Sequence, residues 1–209
     1  MNRCKAFLTA LNDRGCGAAL IHRPENIRWL TGYTGEGCVF VSENAQVVVT
    51  DFRYVEQAGR QAPECDCRRT GNGVSESAVV RELCQAQGVK RLCVETDYLT
   101  HDEYLALEKA LEGVELIPLS ELPQELRLIK DAGEIESIQK AAAISCRAFD
   151  NLLGKIHPGM TEKQVQIMLD YEMLSLGGEG NAFDTIAAAG ASETAEFVPE
   201  LSDYIVLLP

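Results

Sequence analysis

The chain has 209 residues, 46% of them hydrophobic and 24% charged, the balance of a folded protein with one sizeable core or two modest ones. Acidic residues number 32 against 19 basic ones, and the net charge of −13 repels a phosphate backbone, so nucleic acid is not an expected partner. No apolar run approaches the ~18–20 residues that cross a bilayer, so a membrane is not expected either.

The opening stretch, MNRCKAFLTALNDRG, is punctuated by charge and reads as an amphipathic helix ending at Gly15, not as a secretion signal. GAALI follows as a short buried strand. PENIRWLTG starts with a proline suited to a first turn and closes on Gly32, which predicts a short helix. CVFVS and AQVVVTD are β-rich runs separated by Glu43-Asn44, a hairpin signal. FRYVEQAGRQA is helical, CDCRRT a strand, SESAVVRELCQAQG a helix and RLCVE a strand. Thr100 with Glu103 makes a capping box that opens the helix HDEYLALEKALEG, and VELIPL completes the series. Helices alternating with strands predict an α/β layer structure, and the hairpin makes its sheet mixed.

Around LSELPQELRLIKDAGE the character changes, which sets a boundary between a first domain, 1–124, and a second, 125–209. Asp131 and Glu134 provide the N-cap pair of a helix whose apolar stripe is Ile135, Ile138, Ala142, Cys146, Phe149 and Leu153. HPGMT breaks that helix. Thr161 with Gln164 caps the next one, which carries Val165, Met168, Leu169 and Leu176 and stops at Gly177-Gly178. A strand, FDTIAAA, then enters a turn at Gly190.

Eight cysteines without a secretion signal point to a reducing, cytoplasmic compartment. Cys4, Cys16, Cys38, Cys84, Cys93 and Cys146 lie apart among apolar neighbours and read as small core residues. Cys65 and Cys67 project from one face of a strand, but no second pair accompanies them to complete a soft-metal site. His101 sits in a capping box and His157 precedes Pro158 in a turn, so both read as surface residues. His22 follows the strand GAALI, a position where function can sit, yet no serine or cysteine motif goes with it. Asp51 and Arg53 read as a local ion pair or turn cap. The glycines of TGYTGEG let a backbone approach a ligand or a neighbouring subunit, although a tight loop before a hairpin is the plainer reading.

ENIRWLTGYTG followed by VVVTDFRYVEQA resembles the N-terminal domain of the M24 metallopeptidase family that includes Xaa-Pro aminopeptidases, Xaa-Pro dipeptidases and creatinase. LRLIKDAGEIESIQKAAAISCRAFDNLLGKIHPGMTEKQV resembles the linker and first helix of that family's catalytic domain. GGEGNAFDTIAAAG resembles the strand and turn leading to its active site. The resemblance implies a mixed-sheet, creatinase-type N-terminal domain followed by the first part of a pita-bread (α+β) catalytic domain. It also implies hydrolysis of the bond between a first residue and proline, using two divalent metals, commonly manganese. Such a pair clamps a shared hydroxide nucleophile and asks for oxygen-rich ligands. The family takes them from two Asp, one His and two Glu in the later part of the domain, with a further His in a Pro-His segment touching substrate.

After Gly190 the sequence departs from that pattern. The Pro-His segment is replaced, Ser202-Asp203-Tyr204 stands near the family's Ser-Asp, and Pro209 comes before the first metal carboxylate. Glu193, Glu196, Glu200 and Asp203 do not make a rigid, convergent ligand set. The expectation is therefore a truncated Xaa-Pro peptidase-like protein that is inactive alone, with no catalytic residue, metal ligand or cofactor of its own. Tyr33 and Phe183 are the residues expected nearest to substrate. The alternatives are a non-catalytic dimerisation or binding module, in which Tyr33 and Trp29 meet the partner, and one half of a split peptidase. A homodimer through the N-terminal domain is the expected assembly, and peptide is bound only if a second half completes the site.

Overall fold

Residues 3–188 are described by the structure, a computed structural model, and they divide after Ile129 into two compact units. In the first unit the apolar runs form six strands: β1 (Ala18–Ile21), β2 (Cys38–Ser42), β3 (Ala45–Thr50), β4 (Asp66–Arg69), β5 (Arg91–Val94) and β6 (Glu115–Pro118). They make one sheet in the order β4-β3-β2-β1-β5-β6. β2 pairs antiparallel with both β1 and β3, and the other neighbours are parallel. The Glu43-Asn44 hairpin thus makes the sheet mixed, and β2 alone runs against its neighbours.

Six helices pack on this sheet: α1 (Arg3–Asp13), α2 (Pro24–Thr31), α3 (Val55–Gln61), α4 (Glu76–Ala86), α5 (His101–Ala110) and α6 (Leu122–Arg127). Successive strand residues point to opposite faces, so each strand feeds two cores. Ala19, Ile21, Val39, Val41 and Val48 join Phe7, Leu11, Ile27, Leu30 and Leu122 on one side. Ala18, Leu20, Phe40, Val47 and Val49 join Val79, Val80, Leu83 and Leu107 on the other. Helices on both faces explain why β1 and β2 are apolar without alternation and buried along their whole length. Each Leu or Phe fully buried there contributes about 1.5–3 kcal/mol. β4 differs. All of it is exposed, and its Asp66, Arg68 and Arg69 charges suit an edge strand that must not pair further.

Two glycines of the loop before β2 are required by geometry. A Cβ on Gly37, at φ +124°, would meet the Val49 carbonyl oxygen at 2.2 Å, and one on Gly35 would meet the Tyr33 ring at 2.4–2.8 Å. α3 begins at Val55, later than the helical run suggested, because Arg53 turns back to bind Asp51 through its backbone N–H and its guanidinium. α6 was not foreseen as a helix. It opens with Pro123 in its first turn, and Arg127 Nη1 donates to Asn26 Oδ1 at 2.8 Å, which fastens it to α2.

The second unit contains α7 (Ala132–Leu153) and α8 (Glu162–Ser175), both opened by the expected capping boxes, Asp131 with Glu134 and Thr161 with Gln164. Ala148 and Leu152 pack against Val165 and Leu169, with Met168 and Leu176 partly buried beside them. The expected apolar stripe of α7 is left largely uncovered among the described residues, and the core reading of Cys146 is corrected. Ile135, Ile138, Cys146 and Leu153 are exposed, so Cys146 is not a core residue. Amphipathic periodicity identifies a face but not what covers it, and α8 meets only the last turns of a helix ~33 Å long. The expected strand FDTIAAA is also not formed over its described residues, 183–188. A strand needs a neighbour to satisfy its backbone, and no described segment pairs with this one. Instead, Asn181 and Thr185 donate to Asp170 Oδ1 and Ala187 packs on the small core.

Candidate functional site

Polar side chains gather where β1 and β5 end and β2 begins, the carboxyl edge at which α/β sheets open toward ligands. Glu95, the residue after β5, is only 1% exposed. Its Oε2 accepts the backbone N–H groups of His22 (2.6 Å) and Arg23 (2.7 Å), and its Oε1 accepts from Asn26 Nδ2 (2.6 Å). These donors surround the first turn of α2, where unpaired N–H groups and the helix dipole favour an anion. Glu95 is thus a clasp that closes the β5 end onto α2, and Asn26 passes it on to Arg127.

Beside the clasp, His22 Nε2 lies 2.8 Å from Glu76 Oε1, contributed by the first residue of α4. Cys38, at the start of β2, brings its thiol to the same place. Ligand atoms of His22, Cys38 and Glu76 all lie within 4.8 Å of one another. Burial opposes ionisation of Glu76, but the hydrogen bond and charge of His22 and the Cys38 thiol outweigh it, so its carboxyl is held below the usual value. Burial pushes the Cys38 thiol well up, and the neighbouring Glu76 charge and hydrogen bond push it further. Cys38 is therefore a protonated thiol, not an activated nucleophile.

The other residues singled out in the sequence are scattered. Tyr33 is 0% exposed; its hydroxyl donates to the Glu36 carbonyl at 2.8 Å and lies 3.0 Å from Thr50 Oγ1. In this conformation it is a core residue that fastens the glycine loop to β3. Phe183 is 60% exposed in the irregular segment after α8. Trp29 is half-buried under the Arg3 guanidinium, 5.8 Å from its ring centre. Asp51 and Arg53 form the expected local ion pair at 2.6 Å, extended to Glu36 at 2.9 Å. His101 and His157 are on the surface. Cys65 is half-buried, its thiol pushed up to about 11 by burial, and Cys67 is exposed. The Gly190 turn, Glu193, Glu196, Glu200 and Asp203 lie outside the described residues.

Sequence reasoning flagged His22 but missed its company. Cys38, Glu76 and Glu95 are 16, 54 and 73 residues away, and only the strand order brings them to one edge. Their one sequence signal is position, since each stands where a strand or helix begins or ends.

A mixed sheet sandwiched by helices is thus followed by a second unit that opens with a long capped helix, the make-up of a two-unit α/β chain. The Creatinase/Prolidase N-terminal domain profile matches residues 3–129 and the Metallopeptidase family M24 profile matches 136–203; the chain belongs to the creatinase/prolidase-like M24 family. It is 33% identical over 177 residues to an uncharacterized peptidase of Bacillus subtilis, YqhT, covering 84% of this chain and 50% of that one. The structure resembles the X-Pro aminopeptidase of Thermotoga maritima, with a TM-score of 0.79 and 29% identity over 88% of this chain and 52% of that one. It also resembles the Xaa-Pro dipeptidase of Bacillus anthracis, with a TM-score of 0.80 and 32% identity over 87% and 50%. The chain spans about half the length of these relatives. No helix among the described residues is long and apolar enough to cross a membrane.

M24 is a metallopeptidase family. Among the described residues the one cluster of three metal-ligating side chains is His22, Cys38 and Glu76. A thiol, an imidazole and a single carboxylate do not match the oxygen-rich cage that a pair of hard divalent cations requires. The chemistry of these donors sets the cluster apart from an oxygen-rich pair of hard-cation sites.

Proposed function

We propose that this chain belongs to an Xaa-Pro aminopeptidase or dipeptidase system, whose activity is metal-dependent hydrolysis of N-terminal Xaa-Pro bonds. It supplies the N-terminal domain and the opening helices of the catalytic domain. The observation that carries this is the likeness, across both units, to Xaa-Pro peptidase structures at 29–32% identity. The polypeptide does not hydrolyse such peptides by itself. The eight unpaired cysteines support a reducing, cytoplasmic setting.

The test is a proline-peptide assay with added manganese. The 209-residue protein alone is expected to show no turnover. A chimera joining it to the carboxyl-terminal half of the Bacillus subtilis relative is expected to release the residue preceding proline. Manganese-dependent turnover by the purified chain alone overturns the inactivity. A well-folded, metal-loaded chimera that cleaves only peptides lacking proline overturns the substrate class.

A further inference from the structure

We propose that His22, Cys38 and Glu76 form a zinc-type metal site in the N-terminal unit, separate from the family's catalytic metals. Three elements bring the donors together. The β1–β2 ladder pairs Ile21 with Val39, and continuing that register by one residue sets His22 opposite Cys38. Ser75, whose hydroxyl accepts the Ala78 N–H, caps α4 and fixes the backbone from which Glu76 reaches across. The donors thus stand at the ends of regular elements, which hold them more precisely than loop positions would.

The donor set selects the metal. Thiolate, imidazole and carboxylate bind zinc at about 2.3, 2.0–2.1 and 2.0–2.2 Å, respectively. Ligand atoms already gathered within 4.8 Å close on an ion of that size by small side-chain movements. The three protein donors leave a fourth tetrahedral position for water. Solvent reaches it past Glu76, whose side chain is 38% exposed, whereas that of His22 is 14% exposed.

Loading requires neutral imidazole, ionised Glu76 and loss of the Cys38 thiol proton. The thiol proton leaves to solvent, the new S–metal bond replaces the S–H bond, and no electron is transferred. The ion replaces the His22–Glu76 hydrogen bond and pins the end of β1, the start of β2 and the first turn of α4 together.

Cobalt(II) is the probe, because a thiolate bound to it gives an intense near-ultraviolet charge-transfer band that oxygen ligands do not produce. Titration of the reduced full-length protein is expected to develop this band to one equivalent and to lose it when zinc is added. Cys38→Ser abolishes the band, His22→Gln weakens cobalt binding at least tenfold, and Cys84→Ser, another buried thiol, leaves it unchanged. Circular dichroism checks that each variant is folded. Absence of the band in the wild-type protein overturns the site. So does a band that survives Cys38→Ser, which would assign the sulfur to Cys65 or Cys67. Should Cys38→Ser fail to fold, His22→Gln decides: wild-type affinity in that variant overturns the site.

Discussion

Glu95 shows how one buried charge organises an edge of the molecule. A carboxylate taken out of water is strongly unfavourable unless donors replace its hydration. Here two backbone N–H groups and the Asn26 amide do so at 2.6–2.7 Å, and all three donors flank the start of α2. Glu95→Ala leaves these donors buried without an acceptor, and the expected loss is roughly 3 kcal/mol of unfolding free energy. Glu95→Gln keeps the shape and the acceptor for the two backbone groups. It also turns an amide N–H₂ toward Asn26 Nδ2, so Asn26 must flip and give up Arg127; the expected loss is about 1–2 kcal/mol. Urea denaturation measures both. Losses below ~0.5 kcal/mol for both variants would show that the clasp does not hold α2 in place. No sequence pattern announces this residue, because its partners are distant in the chain and two of them are main-chain groups.

At the scale of elements, what was legible was what is local. The capping boxes at Thr100, Asp131 and Thr161 were readable because a cap and its third-position partner lie within one turn. The β2–β3 hairpin was readable for the same reason. The covered face of α7 was not, since Ala148 and Leu152 are buried only because α8 returns to them. The polar tie of that helix pair was equally hidden. Glu172 on α8 receives Lys155 and Asn151, which follow or lie in the last turn of α7. Lys155 foremost, then Asn151, hold the Glu172 carboxyl below its ordinary value of 4.5, against the opposing effect of its burial. A carboxyl depressed in the folded state contributes stability above its unfolded value, and that contribution disappears as pH falls through the folded value. Amide-exchange protection factors across residues 148–175, with the intrinsic rate divided out, are therefore expected to fall as pH drops below about 4.5. Glu172→Gln should flatten this dependence. An equal acid response in the two proteins would remove Glu172 from the cause.

For the whole molecule, the two units differ in how much apolar surface each encloses by itself. The first buries both faces of the central strands of its sheet, with cores built from Phe7, Leu11, Leu20, Phe40, Val80 and Leu92 among others. In the described part of the second, the buried apolar residues are Ala148, Leu152, Val165 and Leu169. Ile135, Ile138, Ile167, Tyr171 and Leu174 remain exposed on its two helices. Ordering a residue costs about 1–2 kcal/mol of backbone entropy, which four buried side chains offset over far fewer residues than two full cores do. Local opening should follow this difference, because proteases cut what opens. Limited trypsin digestion of the full chain is expected to cut first at Lys140, Arg147, Lys155 or Lys163 and to leave a resistant fragment ending near Ile129. A chain of residues 1–129 made alone should then unfold in one cooperative urea transition, since both of its cores lie within that span. First cuts inside the sheet region, with α7 and α8 surviving, would mean that stability does not follow enclosed apolar surface in this protein.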